Sequence, residues 1–246
     1  MPEAHHLHAH SEYYISDLTV AMSTKKVAGI DVLNTPLINA AIDFARQHLD
    51  DWAYNHVMRS WLFGQAIADK VPDLANRDKE LHSVAAILHD MGWSDHKELI
   101  SDDKVFEVDG ANVARDFIEK QSTSDWDQHR KQLLWDAIAL HSYPAVSLHK
   151  SPETKATTLG IITDFTGQAG SPGGALTEDE WKSIVEQYPR PGFKSAMLDK
   201  MCSFCKTKPQ VTYDSFVGEI GDAMLDDYSR EGKGITAMLM NFSDAD

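Results

Sequence analysis

An apolar helical run that ends on an adjacent histidine and aspartate constrains this sequence more than any other feature in it. In KELHSVAAILHDMGW, residues 79–93, Leu81, Val84, Ala85 and Leu88 recur at helical spacing and form a stripe fit for burial, and His89 and Asp90 close it. Asp78 can cap this helix, and Gly92 lets the chain leave it. An imidazole and a carboxylate carried into an apolar interior without partners are costly, so the fold has to bring compensating groups to them. A divalent metal ion does so: neutral imidazole and carboxylate are good ligands for zinc, ferrous iron or manganese, and the charge of the ion offsets the buried carboxylate.

The remaining signals are helical. Thr35 can cap and Pro36 suits a first helical position, and Ile38, Ala41, Ile42, Ala45 and Leu49 follow at helical spacing. A second helix runs from Asp50 or Asp51 to about Asp69 with His56 in its middle, and Pro72 marks its end. Asp109 precedes a helical pattern from Ala111 to Lys120, Leu133 to His141 form another ended by Pro144, and Glu153 to Phe165 a further one. After the break QAGSPGGA, Thr177 and Glu180 match a capping box, and amphipathic stretches follow at Phe193 to Lys206 and Thr212 to Tyr228. No series of short alternating strands and no long repeat interrupts them, so the fold class is all-α. With 246 residues and 42% hydrophobic content the chain buries one sizeable core. We read residues 31–246 as a single domain with a C-terminal helical extension. Residues 1–30 read as a flexible arm holding His5, His6, His8 and His10.

One adjacent pair does not make a metal site. His56, in YNHVMRSW, and Asp164, in TLGIITDFTG, supply a second imidazole and a second carboxylate, so that three packed helices offer His56, His89, Asp90 and Asp164 and leave positions for water. A metal in such a bundle lowers the pKa of a bound water toward neutrality.

The order His, His-Asp, Asp resembles the HD superfamily of metal-dependent hydrolases, with His56, His89, Asp90 and Asp164 at the matching places. More narrowly, the chain is similar to fungal cyanamide hydratases in NHVMR, ILHDMGW, FEVDGA at 106–111, the Leu-His pair at 140 and 141, TTLG at 157–160 and EQYPR at 186–190; Asp164 follows the general HD pattern. The resemblance implies an HD-type helical bundle, one metal ion, zinc before iron or manganese, hydration of cyanamide to urea, and a homodimer. In such a hydratase the electrophile would be a nitrile carbon, which needs a proton donor opposite the metal; His141, Lys97, His96, Glu107 and Asp109, each ionisable and in or beside a segment that matches the family, are the candidates the resemblance implies. A phosphohydrolase of nucleotides or other phosphate esters is the alternative within the superfamily, and its substrate would need cations, for which Arg59 or Lys97 would serve. Few cations stand near the motifs, whereas Trp52, Trp61, Trp93 and Phe106 do, and this tilts the reading toward a small uncharged ligand.

The net charge of -15, with no compensating basic run, argues against nucleic acid and membrane partners and leaves a small-molecule substrate. No apolar stretch approaches the length of a bilayer span and the N-terminus lacks the plan of a signal peptide, which fits a cytoplasmic protein, or one both cytoplasmic and nuclear. Cys202 and Cys205 read as two incidental helix cysteines, since a zinc ribbon needs two more soft ligands and a redox motif a βαβ context.

Overall fold

Residues 23–121 and 125–243 are described by a computed structural model, and the chain begins there with a hairpin. β1 (Thr24–Val27) pairs antiparallel with β2 (Ile30–Leu33) in the register Val27 to Ile30. The two turn residues, Ala28 and Gly29, both have positive φ, 48° and 80°, the backbone that the tight turn of a right-twisted hairpin needs at its two central positions. Ile30, Val32 and Leu33 are buried. The arm expected over residues 1–30 therefore ends earlier than its composition suggested, because strands of four residues are too short to display a period. Residues 1–22, with the four N-terminal histidines, lie outside the described residues.

α1 (Pro36–His48) starts where Thr35 Oγ1 accepts a hydrogen bond from the Ile38 amide at 3.2 Å, and it buries Leu37, Ile38, Ala41 and Ala45. α2 (Asp51–Ala68) is the core helix: from His56 to Ala68 every residue is buried. α3 (Lys79–Leu88) is capped by Asp78, whose Oδ1 accepts from the Leu81 amide at 3.0 Å, and it is followed by His89 and a 3₁₀ turn at Met91–Trp93. α4 (Phe106–Lys120) begins five residues before the expected Ala111. Asp109 is thus a buried residue of the helix and not its cap. Its carboxylate takes Ser101 Oγ at 2.7 Å and Lys208 Nζ at 2.9 Å. Gly92 and Gly110 allow this packing: a Cβ on Gly92 would collide with the Phe106 carbonyl oxygen, and one on Gly110 would lie 2.7 Å from that of His89.

α5 (Gln128–Ala139) stops short of His141, and Pro144 opens the short α6 (Pro144–Ser147). α7 (Pro152–Thr166) then crosses α2. Small residues set their spacing, since a Cβ on Gly160 would meet the Ser60 carbonyl oxygen and one on Gly64 would lie 2.8 Å from that of Ala156. Ala156 beside Gly64 and Gly160 beside Ser60 mean that the helices run antiparallel, so one turn further the pattern brings Asp164 to His56.

α8 (Glu178–Gln187) carries the expected capping box of Thr177 and Glu180, and Ser183 Oγ donates to the Ala28 carbonyl at 2.9 Å, fastening the hairpin. α9 (Phe193–Thr207) holds Cys202 and Cys205, both buried and free. The stretch expected from Thr212 to Tyr228 is helical only over α10 (Phe216–Met224), and α11 (Gly234–Met240) had no clear signal. The fold is an all-α single domain with one small hairpin. Among the described residues no helix is long and apolar enough to cross a membrane.

Gly160→Ala tests the crossing. At a free helical position this change stabilises by about 1 kcal/mol through helix propensity. At the Ser60 carbonyl we expect a loss of about 2 kcal/mol or more from forced separation of the helices, read as a lower midpoint in urea unfolding.

Candidate metal centre

Three buried side chains from the end of α3 and the middle of α2 converge: His56, His89 and Asp90 offer ligand atoms that all lie within 4.8 Å of one another. Asp90 Oδ2 is 3.0 Å from His89 Nε2 and 3.4 Å from His56 Nε2, and Asp90 Oδ1 is 3.6 Å from His141 Nε2. The other ring nitrogens fix the tautomers. His89 Nδ1 is 2.8 Å from the Ala86 carbonyl oxygen and His141 Nδ1 is 2.7 Å from that of Ile138. A carbonyl only accepts, so both Nδ1 atoms carry the proton and both Nε2 atoms present a lone pair. His56 Nδ1 likewise donates to Asp164 Oδ2 at 2.7 Å.

Three lone pairs therefore face a carboxylate with no proton between them. His89 Nε2 and both Asp90 carboxylate oxygens are buried without a hydrogen-bond partner. Such convergence of acceptors is unfavourable by itself and is the arrangement that a cation reverses. The mixed nitrogen and oxygen donor set fits a divalent metal ion. Burial pulls the His56 imidazole below its ordinary pKa, which keeps it neutral and available as a ligand.

The structure places Asp164 differently from the expectation that it is a fourth ligand. Its carboxylate stands behind His56, on the Nδ1 side. Oδ2 takes His56 Nδ1 and also Arg59 Nη2 at 2.9 Å, and Oδ1 takes Arg59 Nε at 2.7 Å. The sequence interval between two ligands and a carboxylate that orients one of them is the same, so the pattern alone does not separate the roles. Burial pushes the Asp164 carboxyl up, but the bonds from His56 and Arg59 outweigh it and hold it well below the usual carboxylate range. Arg59 is fully buried, and its Nη1 is occupied by the Tyr188 and Pro189 carbonyls at 3.0 and 3.1 Å.

The candidate proton donors separate clearly. His141 is beside Asp90, but burial and then His89 hold its pKa down at about 4, so it is a neutral acceptor at Nε2. Lys97 is exposed and does not line the cavity described below, and His96, also exposed, faces Glu98. The structure does not bring Lys97 to the cluster: the chain turns outward after Trp93, a change of direction that the sequence does not reveal. Glu107 is buried, and its Oε1 accepts from Ser142 Oγ at 2.6 Å; burial pushes its carboxyl up to about 7.

A cavity of about 300 Å³ opens beside the cluster. Its polar pole consists of His56, Asp90, His141 and Ser142. Trp93 and Phe106 flank that pole, and Ile161, Ile162 and Phe165 of α7 form one wall. Met197 of α9 and Phe216 and Ile220 of α10 form the facing side.

Residues 53–165 match the family model described as HD domain. The match supports an HD-type domain over this stretch. The family consists generally of metal-dependent hydrolases that bind a divalent metal, which agrees with the cluster. No curated protein matches the chain. The HD domain contains His56, His89, Asp90, Glu107, His141 and Asp164, whereas Met197, Phe216 and Ile220 come from helices beyond it. Sequence reasoning had no means of finding those three, since an apolar residue facing a cavity and one facing the core have the same period. Ser142 follows His141 in the sequence, and that adjacency is the one signal that could have found it.

Two outcomes follow. His89→Ala should abolish zinc binding, and Asp164→Asn, which leaves every ligand in place, should weaken it 10- to 100-fold, by equilibrium dialysis. Equal loss in both would make Asp164 a ligand. Second, Glu107 binds a proton in the folded chain between its ordinary pKa of 4.5 and about 7, where the unfolded chain does not. The metal-free protein should therefore have this contribution in full below pH 4.5 and lose on the order of 3 kcal/mol as pH rises through about 7. Glu107→Gln should flatten that decline in a denaturation series across pH.

Proposed function

We propose that this chain is a metal-dependent hydratase that adds water to the carbon of a nitrile-type group, with the conversion of cyanamide to urea as its simplest case. The observation that carries the reading is the cavity lining: beside the ligand cluster stand Ser142 and apolar side chains. The buried guanidinium nearest to hand, Arg59, is committed to Asp164 and two carbonyls. A phosphate ester brings negative charge that phosphoryl-transfer sites meet with lysine or arginine as well as metal. An uncharged nitrile makes no such demand. The phosphohydrolase alternative draws its support from the HD order of the sequence, yet the acidic residue that completes the order is turned toward Arg59.

A divalent ion held by His56, His89 and Asp90 would supply the Lewis acidity that makes water nucleophilic at neutral pH. The chain supplies the rest. Ala86 and Ile138 carbonyls and the Asp164 carboxylate keep each imidazole in the tautomer with a free Nε2. Ser142 donates to the ionised Glu107, but Glu107, with a pKa of about 7, is in part protonated at neutral pH, and in that form its O–H turns the bond around, donating to Ser142 Oγ and freeing the serine proton for the nitrile nitrogen. His141, unprotonated at Nε2, cannot serve as that donor.

Zinc-loaded protein incubated with cyanamide should form urea, and Asp90→Ala should not. Ser142→Ala should lower kcat by about 100-fold with a small change in KM, since a general acid acts in the transition state. Absence of urea with the parent protein, together with phosphate release from a nucleotide panel, would favour the alternative.

A further inference from the structure

Building on the hydratase reading, we infer that the substrate is an uncharged nitrile-type compound with an apolar substituent lodged between α7 and the C-terminal helices α9 and α10. The cavity volume is the first argument. At about 30 Å³ for a water-sized group, 300 Å³ accommodates on the order of ten non-hydrogen atoms, hence a substituent of about five to eight beyond the reacting group. Cyanamide would fill only the pole at Asp90 and Ser142 and leave most of the wall facing water.

The chemistry of that wall is the second argument. Away from the pole, Ile161, Ile162, Met197, Phe216 and Ile220 offer no hydrogen-bonding side-chain group beyond the weakly accepting Met197 sulfur, so water held there lacks the partners that make it worth keeping. An alkyl or aryl group displaces such water favourably. The third argument is provenance: Met197, Phe216 and Ile220 lie outside the HD domain, so the part of the chain that completes the cavity is not the part that holds the ligands. The reaction needs no further reagent. The oxygen of water bonds to the nitrile carbon as the C–N π bonds open, both hydrogens of that water end on nitrogen, and the product is the carboxamide.

The test uses the full chain loaded with zinc, and straight-chain nitriles from acetonitrile to hexanenitrile beside cyanamide, with amide or urea formation followed. We expect kcat/KM to rise about fourfold per added methylene, the transfer free energy of one buried methylene. Ile220→Trp, which narrows the cavity from α10, should move the optimum to a shorter chain; an unmoved optimum would remove α10 from the binding wall. Equal or falling kcat/KM along the series, with cyanamide best, would overturn the apolar substituent and leave the hydratase reading standing. Should no compound be hydrated, calorimetric binding of the same nitriles to the metal-free chain decides. Affinity that rises with chain length keeps the apolar occupant and removes the hydratase reading, and absence of binding overturns both.

Discussion

The hydrogen bond from His56 to Asp164, braced by Arg59, ties the chemistry of this protein to its tightest helix crossing. Gly64 and Gly160 let α2 and α7 approach until backbone meets backbone, and the antiparallel register then sets His56 against Asp164 one turn away. Arg59, on the next turn of α2, reaches the same carboxylate with two nitrogens and fixes its plane. Removing one partner of such a buried ion pair typically costs about 3–5 kcal/mol, because the other charge stays behind in a dry interior. The position of one metal-binding imidazole is thus secured by the packing of the core, and a change at a glycine two turns from it would be felt at the ligand.

Charge in the interior leads to the same place. Arg59 balances Asp164, with Arg190 nearby donating to the Asp164 carbonyl at 2.6 Å. Asp90 has no such partner. Its neighbours are imidazoles whose protons are held by carbonyls and a carboxylate on their far sides, so they turn lone pairs toward it. The side chains around Asp90 leave a buried negative charge ringed by acceptors, and a divalent cation would resolve it. Metal affinity in this arrangement is also a contribution to folding, since the unfolded chain has no preformed site to bind it.

Much of this was legible in the sequence. Helical periods and caps placed α1, α2, α3, α7, α8 and α9 to within a few residues, and the burial of a His-Asp pair pointed to a metal before any geometry was known. What the sequence hid was direction. Asp164 falls at the spacing of a ligand and acts from behind one, because the face of α7 on which its carboxylate points depends on the crossing with α2. Lys97 follows the 3₁₀ turn by four residues and faces solvent, while Glu107, buried in the first turn of α4, comes within reach of Ser142. The start of α4 was missed because Val105 provides no side-chain cap, and Asp109, which reads as a cap, is held inside by Lys208.

The same separation of spacing from direction explains how such a chain divides its work. The HD domain carries the donors, the carbonyls that set their tautomers, and the glycines that let its helices close, all of which tolerate little change. The cavity-facing side chains Met197, Phe216 and Ile220 supply none of these, although α9 opens with Phe193 stacked on the His56 ring. Phe216 and Ile220 are half-buried, at positions where volume and polarity set which substrate fits without altering how a ligand is held. A cavity built from a fixed pole and an independent wall allows the substrate to change while the metal chemistry stays the same. In the hydratase we propose, the wall, more than the cluster, would therefore set the specificity.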